Sequence, residues 1–286
     1  MSLKIKHTLT LLILFIGFSA SSQVSSVPFT LMESGHIIIK AKVDGVEGKF
    51  IFDTGAGLNL FFDKFAKRLK AQQTNNYFTA HRATGESLTV PLYHSESLAI
   101  GTLNFSNQLY TTYNIDAGDI DGLISLQPFQ NTPVTIDFES KIISFNNKPE
   151  VGKSKFIDIQ IADYAGKSLD IFTNVKLNDQ VTIQVLLDSG AGKSSFWFNS
   201  RLMDMLKLDK NSFEVLKKKD EFDATKTRLF YTGKINTLRT ENNSASIDNP
   251  KSIFVENLIY EGKTGIDWLG KKITISLPDK KIFLID

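Results

Sequence analysis

The sequence predicts a mainly β protein built from two copies of one unit, and three observations predict it. A twelve-residue pattern occurs twice, as FIFDTGAGLNLF at 50–61 and as VLLDSGAGKSSF at 185–196. Each copy is followed by a glycine segment, DGLISLQPF at 121–129 and EGKTGIDWL at 261–269. Each then closes with an alternating stretch, VTIDFESKIISF at 134–145 and ITISLPDKKIFL at 273–284. Asp53 and Asp188 are 135 residues apart, and Gly122 and Gly262 are 140 apart. A near-constant offset across several motifs marks an internal duplication.

The order of elements follows from pattern. In each unit an apolar strand runs into D-x-G-A-G. A short amphipathic helix is expected next, over 61–73 with Phe62, Phe65, Ala66 and Leu69 on one face, and over 198–208 in the second copy. Strands follow, among them 97–113. The closing stretches read as hairpins, because alternating strands flank a polar turn with a lysine. Residues 241–252, ENNSASIDNPKS, read as an exposed loop. The units are expected to meet near 148–153, a polar stretch with Pro149 and Gly152. The expected organisation is a leader at 1–22, one lobe at 23–150 and a second at 151–286.

Composition narrows the classes. With 286 residues and 42% hydrophobic content, the chain can bury a core in each lobe. The N-terminus has a basic start, an apolar run from about Leu9 to Phe18 and then small residues, which is the secretory signal pattern. Removing Lys4 and Lys6 with it leaves 31 basic against 31 acidic residues, a balance that argues against nucleic acid as a partner. There is no cysteine, so disulfides, thiol catalysis and cysteine metal sites are excluded. A secreted chain without disulfides fits a bacterial periplasm or exterior.

Other chemistries fail on spacing. GAGKSS suggests a phosphate loop, but G-x-x-x-x-G-K-[ST] needs glycine at 187, where Leu187 stands. NIDAGDIDG suggests calcium, but aligning Gly122 with the loop glycine puts Ala117 and Pro128 at the outer ligand positions. The four histidines form no close metal pattern, and no G-x-S-x-G is present. No metal or cofactor is expected.

The motifs FIFDTGAG, DGLISLQPF, VLLDSGAG and EGKTGIDWL resemble the aspartic-protease superfamily, particularly bacterial retropepsin-like proteins with two fused lobes. The resemblance spans about 36–286. It implies a two-lobed aspartic-protease fold, each lobe a closed β-barrel unit with a short helix. It further implies a catalytic pair, Asp53 and Asp188, facing each other across the lobe interface. Two carboxyls that close share one proton and activate a water against a peptide bond. Gly55 and Gly190 would allow the tight turns, Ala56 and Ala191 their close packing, and Thr54 and Ser189 would lock the turns together. Gly122, Leu123, Ile124, Gly262 and Gly265 would support them from the glycine strands. Flaps over the cleft are expected at Gly85 in HRATGES and at Tyr231 and Gly233 in FYTGKIN, both with Thr-Gly at a hairpin tip. Phe61 and Phe196, at equal spacing after the turns, are expected to support them from beneath.

The glycine segments depart from the family pattern. Ser125 replaces a glycine in the first, and Lys263-Thr264 replaces apolar residues in the second. A lysine near the second turn would either tolerate exposure or perturb Asp188. The expected activity is therefore an aspartic endopeptidase acting on a peptide or protein, with a non-catalytic peptide binder on the same scaffold as the alternative. Since one chain supplies both aspartates, a monomer suffices.

Overall fold

The computed structural model describes residues 25–70, 72–146, 154–219, 225 and 227–285. The leader at 1–22 and the expected boundary at 148–153 lie outside them. Strands dominate, and they form three sheets.

Most of the first sheet is a closed ring. Ile37–Val43 pairs with Val46–Phe52, then Gly122–Ile124, Asn59–Phe62, Leu103–Tyr113 and Ser87–Ile100 follow in spatial order. Ser87–Ile100 returns to Ile37–Val43 through Lys42↔Ala99 and Val43↔Leu98, which closes the barrel. Inside it Phe50 packs against Phe61 and Phe65, and Phe61 against Tyr110, with ring centroids 4.7–5.6 Å apart. Burying side chains of this size contributes roughly 2–3 kcal/mol each, so the aromatic interior is a main source of the lobe's stability.

The second lobe repeats this order. Leu169–Leu177, Val181–Leu187, Gly262–Thr264, Phe196–Asn199, Lys251–Val255 and Thr227–Lys234 are successive neighbours. The strand that should close the ring is interrupted after Lys234. Its continuation, Thr237–Thr240, pairs back to Leu169–Leu177 through Val175↔Thr240. Closure thus passes through the chain at Ile235-Asn236.

The third sheet joins the halves. Its order is Ser25–Pro28, Ile142–Phe145, Val134–Asp137, Lys272–Ser276, Lys281–Ile285, Lys155–Asp158. The two closing hairpins meet at its centre, where Thr135 pairs with Thr274 and their buried hydroxyls lie 2.7 Å apart. Each unit therefore contributes its expected hairpin to one floor beneath both lobes.

Three local expectations fail. The helix predicted over 61–73 is only Asp63–Ala66, tightened by Arg68 N–H to Phe65 O and Leu69 N–H to Ala66 O. Gln72–His81, with Thr, Tyr and Phe, instead pairs with Ser87–Ile100. A helix of one turn lacks the length to propagate, and sheet pairing wins. In the second copy Phe196–Asn199 is strand, and helix covers only Leu202–Met205, ending before Lys207 at φ 53°. Within 241–252, Ser246–Asp248 is a strand paired with Thr237–Thr240, and Ser252 is buried.

Candidate functional site

The site forms where two strands of the same design end. Val46–Phe52 delivers Asp53, and Val181–Leu187 delivers Asp188. Each aspartate is held from behind by its glycine strand: Asp53 N–H donates to Ile124 O at 2.9 Å and Asp188 N–H to Thr264 O at 2.8 Å. Gly122 has no space for a side chain, because a Cβ there would sit 2.2 Å from Leu60 O.

The two turns grip each other. Thr54 Oγ1 donates to Leu187 O at 2.7 Å and accepts from Ser189 N–H at 3.0 Å. Ser189 Oγ donates to Phe52 O at 2.8 Å and accepts from Thr54 N–H at 2.9 Å. Four reciprocal bonds with both residues buried fix the spacing of the aspartates. The glycines do the rest. A Cβ on Gly55 would lie 2.4 Å from Asp188 Cγ, and one on Gly190 would lie 2.3 Å from Asp53 Oδ2. Each carboxyl therefore occupies the space that the opposite glycine leaves. Ala56 and Ala191 bond back to Asp53 O and Asp188 O and complete the turns.

The carboxyls lie side by side, each against the glycine of the opposite turn. Burial first, and the charge of Asp188 second, push Asp53 up to about 7, against the opposing pull of the Gly55 N–H and Lys263. Lys263 Nζ donates to Asp188 Oδ2 at 2.9 Å, and its ammonium lies 5.0 Å from the centre of the Trp197 ring. Its counterpart Leu123 pairs with Leu60. Neither departure noted in the sequence opens the turns. Ser125 N–H donates to Asn59 Oδ1, Gly265 N–H to Ser195 O, and both aspartates keep the same backbone bonds.

A third carboxyl stands nearby. Asp170 is buried and is pushed up to about 6 by burial first and by the charge of Asp188 second, with Tyr164 pulling it back down. Burial and the charge of Asp170 also raise the phenols of Tyr164 and Tyr260. The residue reaches the site because Leu169 N–H bonds to Gly57 O across the lobes. No motif carries Asp170, so pattern could not have found it.

A cavity of about 390 Å³ opens beside Gly55 and Asp188, with Trp197, Phe230, Tyr260 and Lys263 on its walls. The hairpin tip at 82–86 lies over it. Gly85, at φ 95°, turns the tip, and it abuts Ile259 of the second lobe. Ala83 O accepts from Ile259 N–H at 3.0 Å, Thr84 O accepts from Arg228, and Glu86 pairs with Arg228 at 3.1 Å. Residues 142 apart in sequence make this contact, which no local signal announces.

The second flap is misplaced in the sequence reading. Tyr231 and Gly233 lie within the strand Thr227–Lys234, facing Phe254 and Ser252. Gly233 is small because Phe213 fills its side-chain space at 2.3 Å, and Tyr231 packs on the lobe's core. Their strand pairs with Glu214–Lys219, and between Lys219 and Thr227 only Thr225 is described. The equal spacing of Phe61 and Phe196 also misleads. Sheet register matches Phe61 with Gly122 and Phe198 with Gly262, so GAGKSS carries two extra residues and Phe198 is the true counterpart of Phe61.

Among the described residues no group of acidic or histidine side chains is arranged to hold a metal. Residues 39–127 match a family model described as aspartyl protease. A solved structure titled "Crystal structure of edgp" superposes with a TM-score of 0.53 over 91% of this chain and 94% of its own, at 8% identity, which is a likeness of fold. No curated protein matches the chain.

Proposed function

We propose that this chain is an aspartic endopeptidase whose dyad is Asp53 and Asp188, a reading supported by the aspartyl protease family model that matches residues 39–127. The observation that carries it is the reciprocal fit of each carboxyl into the space left by the opposite glycine. In this reading Asp53, pushed up to about 7, holds the shared proton, and Asp188, which accepts from the Lys263 ammonium at 2.9 Å, acts as the base. Lys263 takes Asp188 Oδ2 and leaves Oδ1, which faces Gly55, for a water. Asp188 removes a proton from that water as its oxygen bonds to the peptide carbon, while Asp53 gives its proton to the carbonyl oxygen. The resulting diol collapses when its hydroxyl proton returns to Asp53 and Asp188 protonates the nitrogen. The C–N bond breaks, and the pair is left again with one proton. The signal-type leader supports action outside the cytoplasm, and both aspartates on one chain support a working monomer.

The test is hydrolysis of a diverse peptide mixture between pH 3 and 8 by the protein and its Asp53→Asn and Asp188→Asn variants. Cleavage by the wild type alone is expected. Cleavage that survives in both variants rejects the dyad. Lys263 favours a second reading, a peptide binder that does not cut, because its ammonium sits on an oxygen of the pair. Peptide binding without cleavage at any pH selects that reading.

A further inference from the structure

Part of the cleft lining is basic. Lys218, Lys219 and Arg228 line it on the paired strands Glu214–Lys219 and Thr227–Lys234. Lys218 stands directly across from Arg228 in that pairing. Like charges facing each other on adjacent strands repel; Glu86 relieves this at Arg228, at 3.1 Å, while Lys218 Nζ lies 5.5 Å from the centre of the Phe230 ring. The cavity's two lining carboxylates are each already matched, Glu86 to Arg228 and Asp188 to Lys263. The wall also shows how it receives a carboxylate. Glu86, carried in by the hairpin tip, meets the Arg228 guanidinium at 3.1 Å with both side chains only 12% exposed. Trp197, Phe230 and Tyr260 line the same cavity, and the Trp197 ring lies against Phe230 on one side and the Lys263 ammonium on the other.

We propose that this wall selects peptides with an acidic side chain close to the scissile bond, beside an apolar or aromatic residue. The inference rests on the peptide-binding cleft of the preceding section. Lys218 and Lys219 supply the attraction, and the aromatic walls supply the apolar contact. Complementary charge in a partly enclosed cleft acts strongly on association and on choice of partner.

The test uses matched fluorogenic peptides carrying Glu, Gln or Lys at each position near the scissile bond. The wild type and the Lys218→Glu/Lys219→Glu and Lys218→Gln/Lys219→Gln variants are compared. Glu peptides are expected to give at least about tenfold higher kcat/KM than Lys peptides, through KM. That preference should shrink in high salt, fall in the Gln pair and invert in the Glu pair. Equal rates, a preference for Lys, or a preference unmoved by both variants overturns the proposal. Anisotropy of the same peptides on Asp53→Asn protein separates this inference from the endopeptidase reading. Acid preference in binding without turnover keeps the inference and removes the peptidase. Binding without acid preference removes the inference, whatever the turnover.

Discussion

The two aspartate turns share one backbone and differ in what stands behind them. At the first, the glycine strand presents Leu123 to Leu60, an apolar pair. At the second, it presents Lys263 to Trp197, and the ammonium reaches Asp188. Duplication gave the frame, and one substitution on a supporting strand made the pair electrically unequal. The lesson is that symmetry fixes where the carboxyls sit, and a neighbour on the supporting strand makes their surroundings unequal.

The strongest way to test that inequality is to remove each carboxyl in turn. Asp53→Asn and Asp188→Asn are both expected to lower kcat by at least about 10³-fold, the scale of a lost general acid or base. Their effects on stability should differ. Asp53 titrates near 7 in the fold against an ordinary 3.8. Its contribution to stability is complete below about pH 4 and is lost as pH rises through 7. Asp53→Asn should therefore stabilise the protein at pH 8, by up to a few kcal/mol, and change little at pH 4. Urea midpoints at the two values measure this, and a variant destabilised equally at both contradicts the assignment.

The next effect tests what the turns have in common. Thr54→Val keeps shape but removes the hydroxyl that serves Leu187 O and Ser189 N–H. Two buried backbone groups lose their partner, at about 2–4 kcal/mol together. Ser189→Ala should cost a similar amount, because Ser189 plays the mirrored part. Additive losses in the double variant would show that the hydroxyls do not act as one network.

What was legible in the sequence follows from these facts. D-[TS]-G-A-G was readable because tight turns and facing carboxyls admit few residues, and duplication doubled the signal. The closing hairpins were readable because alternation fixes which face is buried. The helices were overcalled because Phe62, Phe65 and Leu69 satisfy a helical period, yet pairing beyond Gln72 decides the outcome. Gly233 read as a turn glycine, but it is small for Phe213, a contact no local pattern reports. Asp170 and the Glu86–Arg228 pair depend on how the lobes meet, information that the sequence holds only through the whole fold.

Lys263→Leu restores the first unit's residue to the second and tests the asymmetry directly. Lys263 pulls Asp53 down, so its loss should raise Asp53 further above 7. The alkaline limb of the pH–rate profile should move to higher pH. The ratio of rates at pH 8 and pH 5 should therefore increase. A profile that keeps its alkaline limb would mean that Lys263 only fills space beside Trp197.

The smallest effect is expected at the first unit's hairpin tip. The first unit's tip crosses to the second lobe and is held by Ile259 N–H, by the Arg228 bond to Thr84 O and by the Glu86–Arg228 pair. Glu86→Gln preserves the shape of the tip and removes one charge. Two bonds to backbone oxygens remain, so the tip should stay docked with a latch weaker by about 1 kcal/mol. Hydrogen exchange at the Ile259 amide should quicken by about fivefold, and peptide association should gain by a similar factor while kcat holds. Faster exchange without faster association would place peptide access elsewhere. No change in either would assign the latch to the backbone bonds alone, and the charge of Glu86 would then serve only to balance Arg228.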